Sequence, residues 1–178
     1  MTVADAIIID PDAVAAVKSY LRTAGEDEDA AIASMLAAAI AHGESFTGQQ
    51  LLLRGVSETV AAQRGWQRLS RTPVRAVALV EGMIGTGDPT VLPVAAYAID
   101  IDANGNGWAR FGTSDTTRAV VHYTAGIADG WAGLPEAIRQ GAIRLASHLY
   151  THRDAADEGS PPAAVAALWR PWRRMRLA

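Results

Sequence analysis

Several stretches of this chain carry residues whose types and spacing could do chemistry. The run Asp102-Ala103-Asn104-Gly105-Asn106-Gly107 opens like an EF-hand calcium loop, with side-chain oxygens at positions 1, 3 and 5 and glycine at 6. The loop's closing glutamate at position 12 is missing, because Thr113 stands there, and position 9 is Arg110. The flanking segments read as strands rather than helices. Asn-Gly pairs are turn signals, so DANGNG is read as a hairpin turn joining Val94–Ile101 to Gly107–Phe111. His148 and His152 stand four apart, a spacing that can put two imidazoles on one metal, with Asp154 and Asp157 as third-ligand candidates. Leu149 occupies the place where an HExxH pattern needs glutamate, and the pair is read as an exposed or interfacial helix edge. Ser45, Ser57 and Ser114 coexist with His42 and His122, but none sits in a Gly-x-Ser-x-Gly elbow. No catalytic, cofactor-binding or metal-binding residue is expected.

The C-terminal run Leu168-Trp169-Arg170-Pro171-Trp172-Arg173-Arg174-Met175-Arg176 has a different character. Trp, Arg and Met are enriched in the cores and hot spots of protein interfaces. Trp169, Arg170, Trp172, Arg173, Arg174, Met175 and Arg176 are therefore candidate partner-binding residues. Two other readings stay open. The tryptophans can fold back on their own domain, or the arginines can touch nucleic acid.

The composition sets limits on chemistry. The 178 residues suggest one domain with a sizeable core. Net charge is -3 and there is no cysteine, which excludes disulfides, thiol nucleophiles and cysteine-ligated metals. Lys18 is the only lysine, so a P-loop is absent and Schiff-base chemistry would rest on that residue alone. The N-terminus lacks a signal-peptide pattern. The longest apolar run, near Ala30 to Ala41, is too short to span a bilayer. Charge is polarised: Asp5, Asp10, Asp12 and Glu26 to Asp29 lie early, whereas Arg170, Arg173, Arg174 and Arg176 lie at the end.

The elements that must position these residues follow from periodicity. Helices are expected over 11–23, 27–46 and 135–153. Asp10-Pro11 starts the first. The alanine-rich second helix is expected to be buried on more than one side. Ile138, Ala142, Leu145 and Leu149 mark one face of the third. Strand-like runs fill about 49–125, among them Leu51–Val60, Trp66–Leu69, Pro73–Val80 and Arg118–Tyr123. A polar linker, Asp154 to Pro162, then leads to a segment that Pro171 breaks. The expected fold class is α+β, mainly a helical bundle, with a small antiparallel β unit inserted between the N- and C-terminal helices and a C-terminal arm. The expected domains are a core, 1–158, and an arm, 159–178.

The order of these features resembles the head–tail connector (adaptor) proteins of tailed bacteriophages and of phage-derived gene transfer agents. Glu44, Thr47 and Gly48 match the family's Glu-x-x-Thr-Gly. Arg71 to Glu81, RTPVRAVALVE, resembles its Pro-Val-x-x-Val strand. Tyr123, Ala125, Gly126, Leu134, Pro135, Tyr150 and Arg153 match its next run, and Pro162, Val165, Leu168, Pro171 and Arg173 its closing one. Trp169 and Trp172 depart from the family's usual residues. The resemblance implies a structural subunit, not an enzyme, in a ring of about twelve copies. It implies the portal protein and stopper or tail proteins as partners, with the C-terminal segment holding the portal. It also implies a place at the head–tail junction of a particle assembled in the bacterial cytoplasm, with DNA passing through the channel without sequence-specific binding. No cofactor and no membrane are implied. The alternative is a nucleic-acid- or protein-binding module that uses the Arg/Trp-rich C-terminus.

Overall fold

The computed structural model describes residues 1–85, 87–112, 116–152 and 161–174. The chain divides into two compact units, one made of 1–6 and 53–127, the other of 7–52 and 128–178.

The first unit is β. Its larger sheet has five strands: β1 (Thr2–Ala4), β2 (Arg54–Ala61), β4 (Val74–Met83), β5 (Thr90–Val91) and β8 (Arg118–Ala125), in the order β1-β2-β8-β4-β5. The smaller sheet has three: β3 (Gln67–Arg68), β6 (Tyr97–Ile101) and β7 (Gly107–Phe111), in the order β3-β7-β6. All these pairings are antiparallel. Alternation then decides the faces. Val56, Val80, Val121 and Tyr123 of the large sheet are buried with Leu69, Ala109 and Phe111, and this cluster is the unit's core.

The second unit is helical, with α1 (Pro11–Leu21), α2 (Asp29–Thr47), α3 (Glu136–Thr151) and α4 (Ala163–Trp169). Asp10 caps α1, accepting from the Asp12 N–H at 2.9 Å, with Pro11 in the first turn. Lys18 is not a loose surface amine: its Nζ lies 2.5 Å from Asp29 Oδ1 and ties α1 to the start of α2. Val17, Ile32, Leu36, Ile40 and Ile138 are fully buried. Each such side chain contributes about 1.5–3 kcal/mol.

The expectation of a mainly helical bundle with a small β insert is corrected here. Eight strands in two sheets stand beside four α-helices among the described residues. The chain begins in the β unit, through β1, before it enters the helices. A three-residue strand whose partner is β2 leaves no periodic trace in its own segment. The β unit does not start near residue 49, since Gln49 to Leu52 belong to the helical unit, where Leu51 is fully buried. Val94–Ala96 form a 3-10 turn, and β6 begins only at Tyr97. The alanine-rich helix is not buried on more than one side: Ile32, Leu36, Ala39, Ile40, Gly43 and Thr47 form one buried stripe, while Ala30, Ser34, Ala38, Ala41 and Ser45 are exposed.

DANGNG joins β6 to β7, with Ile101 paired to Gly107. The positive φ falls on Gly105 (74°) and on neither asparagine, so neither Asn-Gly pair forms the type I′ turn that this dipeptide favours. Asp102 organises the loop instead. Its carboxylate accepts from the N–H groups of Asn104 (2.8 Å) and Asn106 (2.9 Å) and from Asn106 Nδ2 (2.8 Å). A carboxylate filled by donors is aimed at N–H groups, not at a cation. Chiefly the Asn106 side-chain bond, then its backbone N–H, lowers the Asp102 pKa to about 2. A depressed carboxylate pKa adds stability that is present above about pH 4 and is lost as pH falls towards 2. Asp102→Asn is therefore expected to flatten the acid limb of a urea-midpoint-versus-pH curve between those values. An unchanged limb would refute this role.

Candidate functional site

Pro171 ends α4 as its missing N–H requires, and a 3-10 turn, Arg170–Trp172, follows. Trp169 does not belong to a surface. It has no exposed area, and its Nε1 donates to the Ile138 carbonyl at 3.3 Å. Glycines on two helices form its slot. A Cβ on Gly141 of α3 would stand 2.1 Å from Nε1, and one on Gly43 of α2 would stand 3.3 Å from the ring. The Phe46 ring lies 6.0 Å away, tilted by 51°. The partner-binding expectation is thus corrected for Trp169, which is core.

The residues after it present a different surface. Arg170 and Arg173 are exposed and Trp172 is half-buried. The backbone is pinned to the end of α2: Gln49 Nε2 donates to the Trp172 carbonyl at 2.6 Å, and the Arg174 N–H donates to the Thr47 carbonyl at 2.8 Å. The Arg173 guanidinium lies 5.7 Å over the Phe46 ring. Arginines here face the negative end of the α2 dipole, a favourable placement. Met175 and Arg176 lie outside the described residues.

The Glu44, Thr47, Gly48 motif turns out to be the device that ends α2. Gly48 takes the left-handed cap (φ 68°), and its N–H donates to the Glu44 carbonyl at 3.0 Å. Thr47 Oγ1 donates to Gly43 O at 2.7 Å, and Glu44 Oε1 accepts from the Leu51 N–H at 3.0 Å. The motif therefore sets the direction of the chain leaving α2 and the site where residues 172–174 are held.

No protein-family model matches the chain, and no curated protein matches it. Solved structures do. Over 100% of this chain and 97% of the other, it is similar to a chain in the neck of an empty gene transfer agent (GTA) particle computed with C6 symmetry, at 27% identity and a TM-score of 0.81. A chain of the virion of a native GTA particle matches at 27% identity, with the same coverage and a TM-score of 0.74. A chain in the neck of a native GTA particle computed with C12 symmetry matches at 27% identity over 99% of this chain and 97% of that one, with a TM-score of 0.69. This chain is built like a neck component.

Within this neck-like chain, the other candidate residues fall into place. His148 and His152 stack with ring centroids 4.3 Å apart, and both are exposed. Asp154 and Asp157 lie outside the described residues, as does Ser114. Among the described residues no group of three His, Asp or Glu is placed to hold a metal ion. No helix among them is long and apolar enough to cross a membrane.

The β unit holds one arrangement that sequence reasoning missed. Ser57 Oγ lies 2.9 Å from His122 Nδ1, and His122 Nε2 lies 2.7 Å from Glu81 Oε2. Serine and histidine were both candidates, but Glu81 joins them only through the sheet register. The row has the order of a hydrolytic relay without its setting. Ser57 stands mid-strand, paired with Val3 on one side and His122 on the other, not on an elbow that would expose its oxygen and free N–H groups for an oxyanion. The row links β2, β8 and β4.

Proposed function

We propose that the chain is a structural subunit of the neck of a phage-like particle, a head–tail connector or adaptor assembled as a ring below the portal. The observation that carries this reading is the end-to-end similarity to chains of GTA necks. The C6 and C12 symmetry of those necks supports a ring. The match to a GTA virion chain supports a place in the particle itself. In this reading residues 1–158 are the connector core and 159–178 the arm, and the ring surrounds the passage for DNA without reading its sequence. The docking part of the arm starts after Trp169. Arg170, Trp172, Arg173 and Arg174 face the portal or a ring neighbour.

The test uses particles. The triple substitution Arg170→Ala, Trp172→Ala, Arg173→Ala is expected to leave a folded chain, because its sites lie beyond the buried Trp169. Filled heads without attached tails should accumulate, counted by electron microscopy. Heads and tails joined at the unaltered frequency would overturn the docking role. Absence of the protein from purified particles would overturn the neck reading.

A further inference from the structure

Two tetrapeptides of one pattern, Gly65-Trp66-Gln67-Arg68 and Gly107-Trp108-Ala109-Arg110, meet in the smaller sheet. The antiparallel register sets Arg68 beside Trp108 and Gln67 beside Ala109. It therefore brings Trp66 across from Arg110, whose guanidinium lies 4.8 Å from the Trp66 ring centroid. Ala109 and Phe111 point into the core, so the alternate residues 108 and 110 point outward. The result is a checkerboard of two indoles and two guanidinium groups on one face. Arg64, also exposed, precedes it on the same strap. Trp66 keeps 44% of its surface exposed. Arg68 donates to Asn106 Oδ1, and no ion pair engages Arg64, Arg68 or Arg110 among the described residues. Two carboxylates border the face: Asp100, exposed and paired with Trp108 from β6, and Asp102, whose Oδ2 accepts from Trp108 Nε1 at 3.4 Å.

We propose that this face binds a nucleic-acid strand without reading its sequence, with Arg64, Arg68 and Arg110 on phosphates and the Trp66 ring against a base. Guanidinium groups match phosphate and stack on aromatic planes, and aromatic platforms set among cations are how open strands are held. The neighbours of Trp66 argue against a protein hot spot. Gln63, Arg64, Gly65, Gln67 and Arg68 are polar or small, and a hot spot needs a surrounding ring of water-excluding contacts. The inference rests on this patch alone and does not depend on the neck reading.

The experiment titrates the full chain into a fluorescein-labelled oligothymidylate of about 16 nucleotides and follows anisotropy and tryptophan fluorescence. Binding at low salt is expected, with quenching and a log–log salt slope of about -2 for three phosphate contacts. Arg64→Ala, Arg68→Ala and Arg110→Ala together should weaken binding at least about tenfold. The single change Arg64→Ala should lower the slope by about 0.7, which guards against a triple variant that misfolds. Trp66→Phe should reduce the quenching. Arg144→Ala, at an exposed site on α3, should leave binding unchanged. No binding by the full chain at low salt would overturn the proposal. So would an unchanged slope in Arg64→Ala, or a loss carried by Arg170→Ala and Arg173→Ala instead. Tighter binding of a duplex of the same length would overturn the stacking role of Trp66.

Discussion

Trp169→Ala is expected to lower the stability of the helical unit by about 3–5 kcal/mol, the largest effect of any single substitution considered. The indole is wholly buried, and it fills a slot whose walls are backbone as much as side chain. Helix walls do not collapse into a vacated volume, so the cavity term adds to the lost transfer energy. The lost Nε1 bond to the Ile138 carbonyl adds a further increment of about 1 kcal/mol. The same slot can be tested from the opposite side. Glycine inside a helix is less favourable than alanine by about 1 kcal/mol, so Gly141→Ala would stabilise an ordinary α3. Here the new methyl would meet Nε1 at 2.1 Å, and the net effect is expected to be destabilising by about 1–3 kcal/mol. In the Trp169→Ala background the methyl enters open space and the intrinsic gain returns. A thermodynamic cycle by urea unfolding should therefore show Gly141→Ala changing sign between the two backgrounds. Additive effects would sink the account of these glycines as the walls of a tryptophan slot.

That slot also shows what the sequence does and does not make legible. LWRPWRRMR reads as a surface because Trp and Arg together are interface chemistry. The signal that Trp169 is core lies far away, in Gly43 and Gly141, glycines inside strong helical patterns where nothing local asks for them. A helix interior that accepts glycine's entropy cost does so because something packs against its backbone. DANGNG is legible for the opposite reason: its turn is made by its own residues, through the Asp102 side chain and the Gly105 backbone. Even so, local chemistry alone misplaces the positive φ. Gly105 is also set by non-local packing, since a Cβ there would come within 2.7 Å of Pro73. The helices follow from apolar spacing to within a few residues at each end. The sheets do not, because β1, and the joining of Glu81 to Ser57 through His122, depend on register between segments remote in sequence. Local periodicity therefore understates the β unit and overstates the bundle.

Glu58→Ala is expected to cost the β unit about 2–4 kcal/mol, since hydrogen bonds to a charged group are worth about 1.5–3 kcal/mol each and buried donors are left unpaired. Glu58 is 7% exposed, and its Oε2 accepts from the Tyr123 hydroxyl (2.6 Å), the Ser70 N–H (2.9 Å) and Ser70 Oγ (2.9 Å). The Tyr123 hydroxyl in turn accepts from the Arg71 N–H at 3.2 Å. One carboxylate on β2 thereby fixes the turn that leads into β4. Tyr123 gives this network a pH signature. Burial first, and then the bond to Glu58, raise its pKa well above the ordinary value of 10.0. An acid whose folded pKa is raised adds stability that is complete below its unfolded pKa. Above about pH 10 the unfolded chain loses the proton and the folded chain keeps it. Stability then falls by up to about 1.4 kcal/mol per pH unit. Tyr123→Phe should lower stability at neutral pH, through the lost bond to Glu58, yet decline less steeply above pH 10. Urea unfolding of both proteins between about pH 8 and 11 measures the two slopes. Parallel curves would mean that Tyr123 does not hold its proton in the fold and that the Glu58 network is not what anchors the turn.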